Sequence, residues 1–347
     1  MYKIAIVGGF GLENFGDDWL LSEAIKLLSD LWKSKDLVIV APNSNFPRDQ
    51  FAGVDVVQDV NDCFAPSRIF AGGTQFYFYD NKTAAAIRNT FKRPSKHKTF
   101  PTRLYRLLNL CRNDFYWNIG LGPFENEAGR HYLEKKRASL DRAKFVSLRD
   151  EVSLKHFSKG FLGADIAWTS QEIDSSSPGT PTFDVTLILR SWHHGQNPFS
   201  NEAAHNLIAF LQGENLKVAV VLLSPLRDHF ELQGVEVFKW EMSNGQFSSN
   251  CRELVTFLKK SQCLISSRYH GIILGVLAGI PRVAAFDIDP KLSALAHDLE
   301  IPVISNYLKT SDVKEFVLSS ATTLKEEKVN HLKLRAQSSF EQLKSEI

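Results

Sequence analysis

The sequence is short of the features that mark most specialised chains. Its four cysteines (Cys63, Cys111, Cys251 and Cys263) are scattered, with no C-x-x-C pair and no histidine at metal-ligand spacing. A disulfide frame and a zinc site are therefore not expected, and the thiols read as reduced. No apolar run approaches the ~18 residues needed to cross a bilayer. The longest, GIILGVLAGI, suits a buried helix. The opening MYKIAIVGG goes straight into a strand pattern and lacks the order of a secretory signal, so a soluble cytoplasmic protein is expected. Neither sign of charge dominates: 41 Lys and Arg face 39 Asp and Glu, and a net +2 says little about partners. Internal repeats and low-complexity segments are missing as well.

What is present is ordinary globular material, 44% apolar and 23% charged, in 347 residues. That length is comfortable for two domains, each with its own core. Short β-branched runs alternate with amphipathic stretches, the pattern of βα units on a mostly parallel sheet. YKIAIVG, LVIVAP, RIFAGG, FYWNIGLG and FVSLR read as strands of a first series. DDWLLSEAIKLLSDLW repeats its leucines at helical spacing. Residues 171–183, rich in Ser, Pro, Thr and Gly, break the pattern and read as a linker. A second series follows, from DVTLILR through KVAVVLLS, GVEVFKW, QCLISS, RVAAF and PVIS, before a polar helix over 323–347. The expected fold is α/β: two tandem doubly wound, Rossmann-like domains, 1–170 and 184–322, in a GT-B-like architecture. Ligands in such folds lie at the carboxyl ends of strands.

The first strand ends in GGFGLENFGDDWLL. A dinucleotide fingerprint would need a glycine where Asn14 stands and an acidic residue about 20 positions on, so an NAD site is rejected. A glycine-rich turn with Asn14 and Asp17 remains, suited to sugar hydroxyls or a phosphate. Equally, it is a tight turn with Asp17 at a helix start. Gly72 and Gly73 in RIFAGG, and Gly120 and Gly122 in IGLGP, open two further strand ends and suggest the floor of a cleft. Arg149 closes the strand FVSLR, with Asp150 as a helix cap; a salt bridge between them is the structural alternative.

SSRYHG, between strand QCLIS and helix GIILGVLAG, places Arg268 and His270 at a strand's carboxyl end and a helix's amino end. Oriented N–H groups and the helix dipole attract anions there, and a bound anion favours a protonated imidazole. FDIDPK brings Lys291 to the end of the next strand. Packing alone does not explain three such groups at adjacent sheet-edge positions, although a lone histidine there is more often structural.

In order along the chain, GGFGLENFGDDWLL, AGG, IGLGP, VSLRDEVSL, LGADIAW and SSRYHGIILGVLAGIPRVAAFDIDPKLSALAHDL resemble the polysaccharide pyruvyl transferase family. The resemblance implies a ketal pyruvyltransferase with a GT-B-like fold. Such an enzyme takes pyruvate from phosphoenolpyruvate onto a sugar diol, with no further cofactor and no metal. It implies His270 as the acid and Arg268, Arg149 and Lys291 as donor-binding residues, with the second domain on the phosphoenolpyruvate side. Asn14, Asp17, Gly72 and Gly73 would lie on the acceptor side, in the first domain. Tyr269 departs from the leucine usual between Arg and His; its side chain is expected to face away from both neighbours. The chemistry suits the residues, because a phosphate plus a carboxylate needs several fixed cations, arginine above all. Protonating the vinyl carbon needs a general acid that titrates near neutrality.

Two features stand outside the resemblance. LILRSWHHG brings Arg190, Trp192, His193 and His194 to a strand end, where an aromatic ring would stack on a sugar. Residues 88–112 hold eight Lys or Arg and no acid, interleaved with aromatics. That segment is either a solvated loop or a contact with an anionic membrane at the inner face, which would suit a lipid-linked acceptor. No nucleic-acid module is recognisable. Two rival readings stay open: a GT-B nucleotide-sugar glycosyltransferase, and a non-catalytic glycan-binding protein of the same fold.

Overall fold

Runs such as Leu37–Val40 and Val218–Leu222 are apolar at every position, so each must be covered on both faces, as in a parallel sheet flanked by helices. The computed structural model describes residues 2–347 except 42–50, 52, 60–62, 64, 79–111, 125, 172, 174–179, 192–198, 229, 242–246, 306–307 and 322–323. It is an α/β structure with two parallel sheets. The chain groups into two compact units that are not linear in sequence. One comprises Met1–Leu12, Leu20–Ile166 and Arg335–Ile347; the other comprises Glu13–Trp19 and Ala167–Leu334.

The first unit holds β1 (Ile4–Val7), β2 (Leu37–Val40), β3 (Asp55–Val57), β4 (Ser67–Ala71), β5 (Thr74–Phe78), β6 (Asn113–Phe124), β7 (Phe145–Leu148) and β8 (Phe161–Leu162). Their order is β3-β2-β1-β4-β6-β7-β8, with β5 paired to β6. Order reverses between β1 and β4, which makes that gap a switch point. Helix α1 (Phe15–Ser29) has its first turn in the second unit and the rest in the first. The helices α2 (Glu127–Arg142) and α3 (Glu151–His156) are capped by Asn126 and Asp150, whose side chains accept from the Gly129 and Ser153 amides at 2.8 and 2.7 Å.

The second unit holds β9 (Val185–Leu189), β10 (Val218–Leu222), β11 (Glu236–Lys239), β12 (Cys263–Ser266), β13 (Arg282–Phe286) and β14 (Val303–Ile304), in the order β11-β10-β9-β12-β13-β14. Here the reversal lies between β9 and β12, in register Ile265 to Leu187. Helices α4 (Asn201–Gly213), α5 (Phe247–Leu258), α6 (Tyr269–Leu277), α7 (Pro290–Leu299) and α8 (Thr310–Leu318) connect or flank these strands. The last helix, α9 (Glu326–Glu346), ends in the first unit. There Arg335 donates twice to the Gly163 carbonyl, Ser339 bonds the buried Asn118 and Ser147, and Phe340 packs on Trp117.

The long apolar runs fold where periodicity puts them. The strand order, and the elements β3, β5, β8 and α8, go beyond the sequence reading. The strands β3 and β8 are three and two residues long, too short to carry a period. Among the described residues, no helix is long and apolar enough to cross a membrane.

Candidate functional site

Four cations and two buried carboxylates follow the strands on either side of the second unit's switch point. Arg190 follows β9, Arg227 and Asp228 lie in the turn after β10, Arg268 follows β12, and Asp289 and Lys291 follow β13. Parallel strands present all these ends on one sheet edge, where backbone amides turn outward into loops and helix starts.

Each buried carboxylate holds groups from two strand ends. Asp228, 2% exposed, accepts from Arg268 Nε at 3.0 Å and from Arg268 Nη2 at a shorter distance. It also takes the Ser191 amide at 3.2 Å, tying the end of β9 to the end of β12. Burial drags the Arg268 guanidinium below its ordinary range and Arg190 adds to this, while Asp228 opposes both. The pair is thus held at a desolvation cost. Asp289, 1% exposed, is the cap of α7 and pairs with Lys291 Nζ at 3.1 Å and Arg190 Nη1 at 3.6 Å. Burial alone would raise its pKa; Lys291, Arg190 and the Lys291 amide outweigh that and leave it below the usual carboxylate range.

The half-buried His270 stands in the first turn of α6, and Arg268 occupies that helix's cap position. Ser266 Oγ accepts from the Arg268 amide at 3.0 Å, and Ser267 donates to the Ile188 carbonyl through both N–H and Oγ, which fixes the turn. Tyr269, expected to face away from its neighbours, meets the His270 ring edge-on at 5.5 Å and is buried. Trp19 approaches the same imidazole at 6.4 Å.

Asn14 and Asp17 belong to this second unit, at the start of α1. Asn14 Nδ2 donates to Asp17 Oδ2 at 2.5 Å, and the Asp18 amide bonds the Asn14 carbonyl at 3.0 Å. The structure therefore brings Asn14, Asp17, Arg190, Arg268, His270 and Lys291 into one unit.

Arg149, Gly72 and Gly73 lie in the first unit. Arg149 is 3% exposed and reaches Asp150 at 3.3 Å, Asp165 at 3.4 Å and Thr74 Oγ1 at 3.0 Å. The ion pair to Asp150 that a structural role requires is present. Gly72 and Gly73 take left-handed φ of 61° and 68° and bond across to β6, Gly72 N–H to Trp117 O and Gly73 O to Gly120 N–H. Trp192, His193 and His194, and all of the basic segment except Arg112, lie outside the described residues. Among the described residues, no group of three or more His, Cys, Asp and Glu is placed to hold a metal ion.

Asp228 and Asp289 went unread in sequence. Asp289 carries a signal, since an aspartate before Pro290 is a helix cap. Asp228, in PLRDHF, looks like solvated loop, and only the sheet order reveals that it neighbours Arg268.

Two doubly wound parallel sheets, with cations on the carboxyl edge of the second, define a GT-B-like α/β fold. A family model described as polysaccharide pyruvyl transferase matches residues 14–290, and the chain belongs to that family. No curated protein sequence matches it. Among solved structures, it is similar to S. aureus MnaA in a UDP co-structure, at 12% identity over 96% of this chain and 91% of that one, with a TM-score of 0.53. It is also similar to the Methanocaldococcus jannaschii UDP-GlcNAc 2-epimerase in complex with UDP-GlcNAc and UDP, at 9% identity over 97% and 99%, with a TM-score of 0.51. At such identities the likeness is one of fold.

Proposed function

We propose that the protein transfers pyruvate from phosphoenolpyruvate to two hydroxyls of a sugar as a cyclic ketal, releasing phosphate, during assembly of a cell-surface polysaccharide. The observation that carries this reading is the placement of Arg190, Arg268 and Lys291 with His270 in the unit that holds the β9/β12 switch point. A donor with a phosphate and a carboxylate suits that set, and membership of the polysaccharide pyruvyl transferase family supports this reading.

Arg268 and Lys291 bind the donor anions, and the protonated imidazole of His270 gives its proton to the vinyl methylene, which becomes the methyl group. The phosphate-bearing carbon turns oxocarbenium-like and takes a sugar hydroxyl, forming one C–O bond. Phosphate then departs with the electrons of its C–O bond, and the second hydroxyl closes the ring. Of the two hydroxyl protons, one restores the imidazolium and the other leaves with phosphate. Asn14 and Asp17 contact acceptor hydroxyls. Arg149 enters through the resemblance alone: it would have to leave Asp150 or Asp165 to take an anion. A lipid-linked acceptor, with residues 88–112 on an anionic membrane face, belongs to the same reading.

The test incubates the protein with phosphoenolpyruvate and a panel of lipid-linked and nucleotide-linked sugars, following acceptor mass and phosphate release. Gain of one pyruvyl unit, abolished in His270→Ala, is the expected result. Both structural neighbours above carry UDP in their descriptions, which favours nucleotide-sugar chemistry as the second reading. Sugar transfer without pyruvate would establish it and overturn the first.

A further inference from the structure

We infer that Gly16 is a positioning residue for His270, and that the glycine-rich turn at the start of α1 is a socket for the imidazole. A β-carbon built on Gly16 would lie 2.0 Å from His270 Nδ1, 2.7 Å from Cγ and 2.9 Å from Cε1. Carbon contacts are comfortable at about 3.5–4.0 Å, so no side chain fits there while the ring holds its place. The ring has little room to withdraw, because Tyr269 meets it edge-on at 5.5 Å and Trp19 at 6.4 Å.

The turn cannot easily give way either. The Phe15 amide donates to the Leu223 carbonyl at 2.9 Å, pinning the turn to the end of β10. The Phe15 ring is fully buried against Trp19 at 5.2 Å, Trp240 at 4.8 Å and Phe247 at 6.1 Å. Gly16 is itself buried and lies in a helix, so its missing side chain answers to the approach of the ring rather than to a special φ. The imidazole is bounded by Gly16, Trp19 and Tyr269.

The kinetic half of this inference rests on the pyruvyl-transfer reading; the geometric half does not. The experiment is a double-mutant cycle on the full chain. Gly16→Ala should lower the melting temperature by several degrees in the wild-type background and leave it unchanged in His270→Ala, where the clash is gone. The double variant thus keeps the test alive if Gly16→Ala alone fails to fold. In the pyruvyl-transfer assay, Gly16→Ala should lower kcat by about 10²-fold, the effect of misplacing a reacting group by ~1 Å. Binding of phosphoenolpyruvate by calorimetry, without acceptor, should change less than threefold. An equal loss of stability in both backgrounds overturns the inference, as does wild-type kcat in Gly16→Ala. A matching loss of donor affinity overturns the positioning role. Coupled stability in a protein whose wild type transfers no pyruvate sustains the socket and refutes the pyruvyl-transfer reading alone.

Discussion

Replacing Asp228 by asparagine probes the coupling of the β9, β10 and β12 ends most directly. The substitution preserves size and one carbonyl-type acceptor but removes the charge facing Arg268 Nε and Nη2. Arg268 is then a desolvated guanidinium without its counter-ion. Breaking a buried pair costs about 3–5 kcal/mol, and the retained acceptor for the Ser191 amide puts the expected loss near the lower end, about 3 kcal/mol. For a unit of this size each kcal/mol moves the midpoint by roughly 2–4 °C, so its transition should fall by roughly 6–12 °C. Scanning calorimetry reads the shift. Under the proposed pyruvyl-transfer function, each charge-assisted hydrogen bond that a misaligned Arg268 fails to make to the donor is worth about 1.5–3 kcal/mol, so phosphoenolpyruvate should bind about 10- to 100-fold more weakly. The control is Asp228→Leu with Arg268→Met, which exchanges the pair for apolar groups. Stability should recover, because such exchanges are often neutral, while donor binding stays lost. A melting temperature within about 1 °C of wild type in Asp228→Asn, with unchanged donor affinity, would refute the clamp.

Asp289 makes the second unit's stability depend on pH. Its folded pKa lies below the ordinary carboxylate value, so its contribution is present above about pH 4 and disappears as pH falls through the folded value. The deficit of Asp289→Asn, read from melting curves between pH 7 and pH 2, should be largest near neutrality and shrink below about pH 4; a constant deficit would count against the ion pairs with Lys291 and Arg190. Truncation after Leu334 removes Arg335, Ser339 and Phe340 from the first unit. It exposes or orphans the Gly163 carbonyl, Asn118 and Ser147, each worth about 1–3 kcal/mol if left unsatisfied. Amide exchange along β6 should accelerate, and unaltered protection there would show that α9 does not support that strand.

The division between what sequence carried and what it did not follows the range of the physics. Burial on both faces of a strand is a local demand, so IAIV, LVIV and VAVVL could be read one run at a time. The cap at Asp150 is equally local, a side chain and an amide three residues apart. Sheet order is a long-range property, and the role of Asp228 depends on it: 40 positions separate Asp228 from Arg268 in sequence, and only the packing of β10, β9 and β12 side by side joins them. The grouping of residues 13–19 with the second unit is of the same kind, since no composition shift marks it.

Glycine shows why the same letters supported two readings. A missing side chain lets something approach the backbone, and the sequence does not say what; Gly120, expected at a strand's end, lies inside β6, and Gly16 lies in α1. In the first unit, a β-carbon on Gly120 would lie 2.7 Å from Arg149 Nη2, so the chain's own guanidinium occupies that approach. In the second, His270 does the same at Gly16. Both glycines therefore act one step back from any ligand, shaping where a basic side chain of the R-D and R-x-H motifs can stand. This changes what a substitution there should do. A glycine that touches substrate would, when replaced, weaken binding of that substrate; a glycine that seats a side chain should couple to that side chain and to nothing else. Gly120→Ala should accordingly be silent in stability once Arg149 is alanine, as Gly16→Ala should be once His270 is.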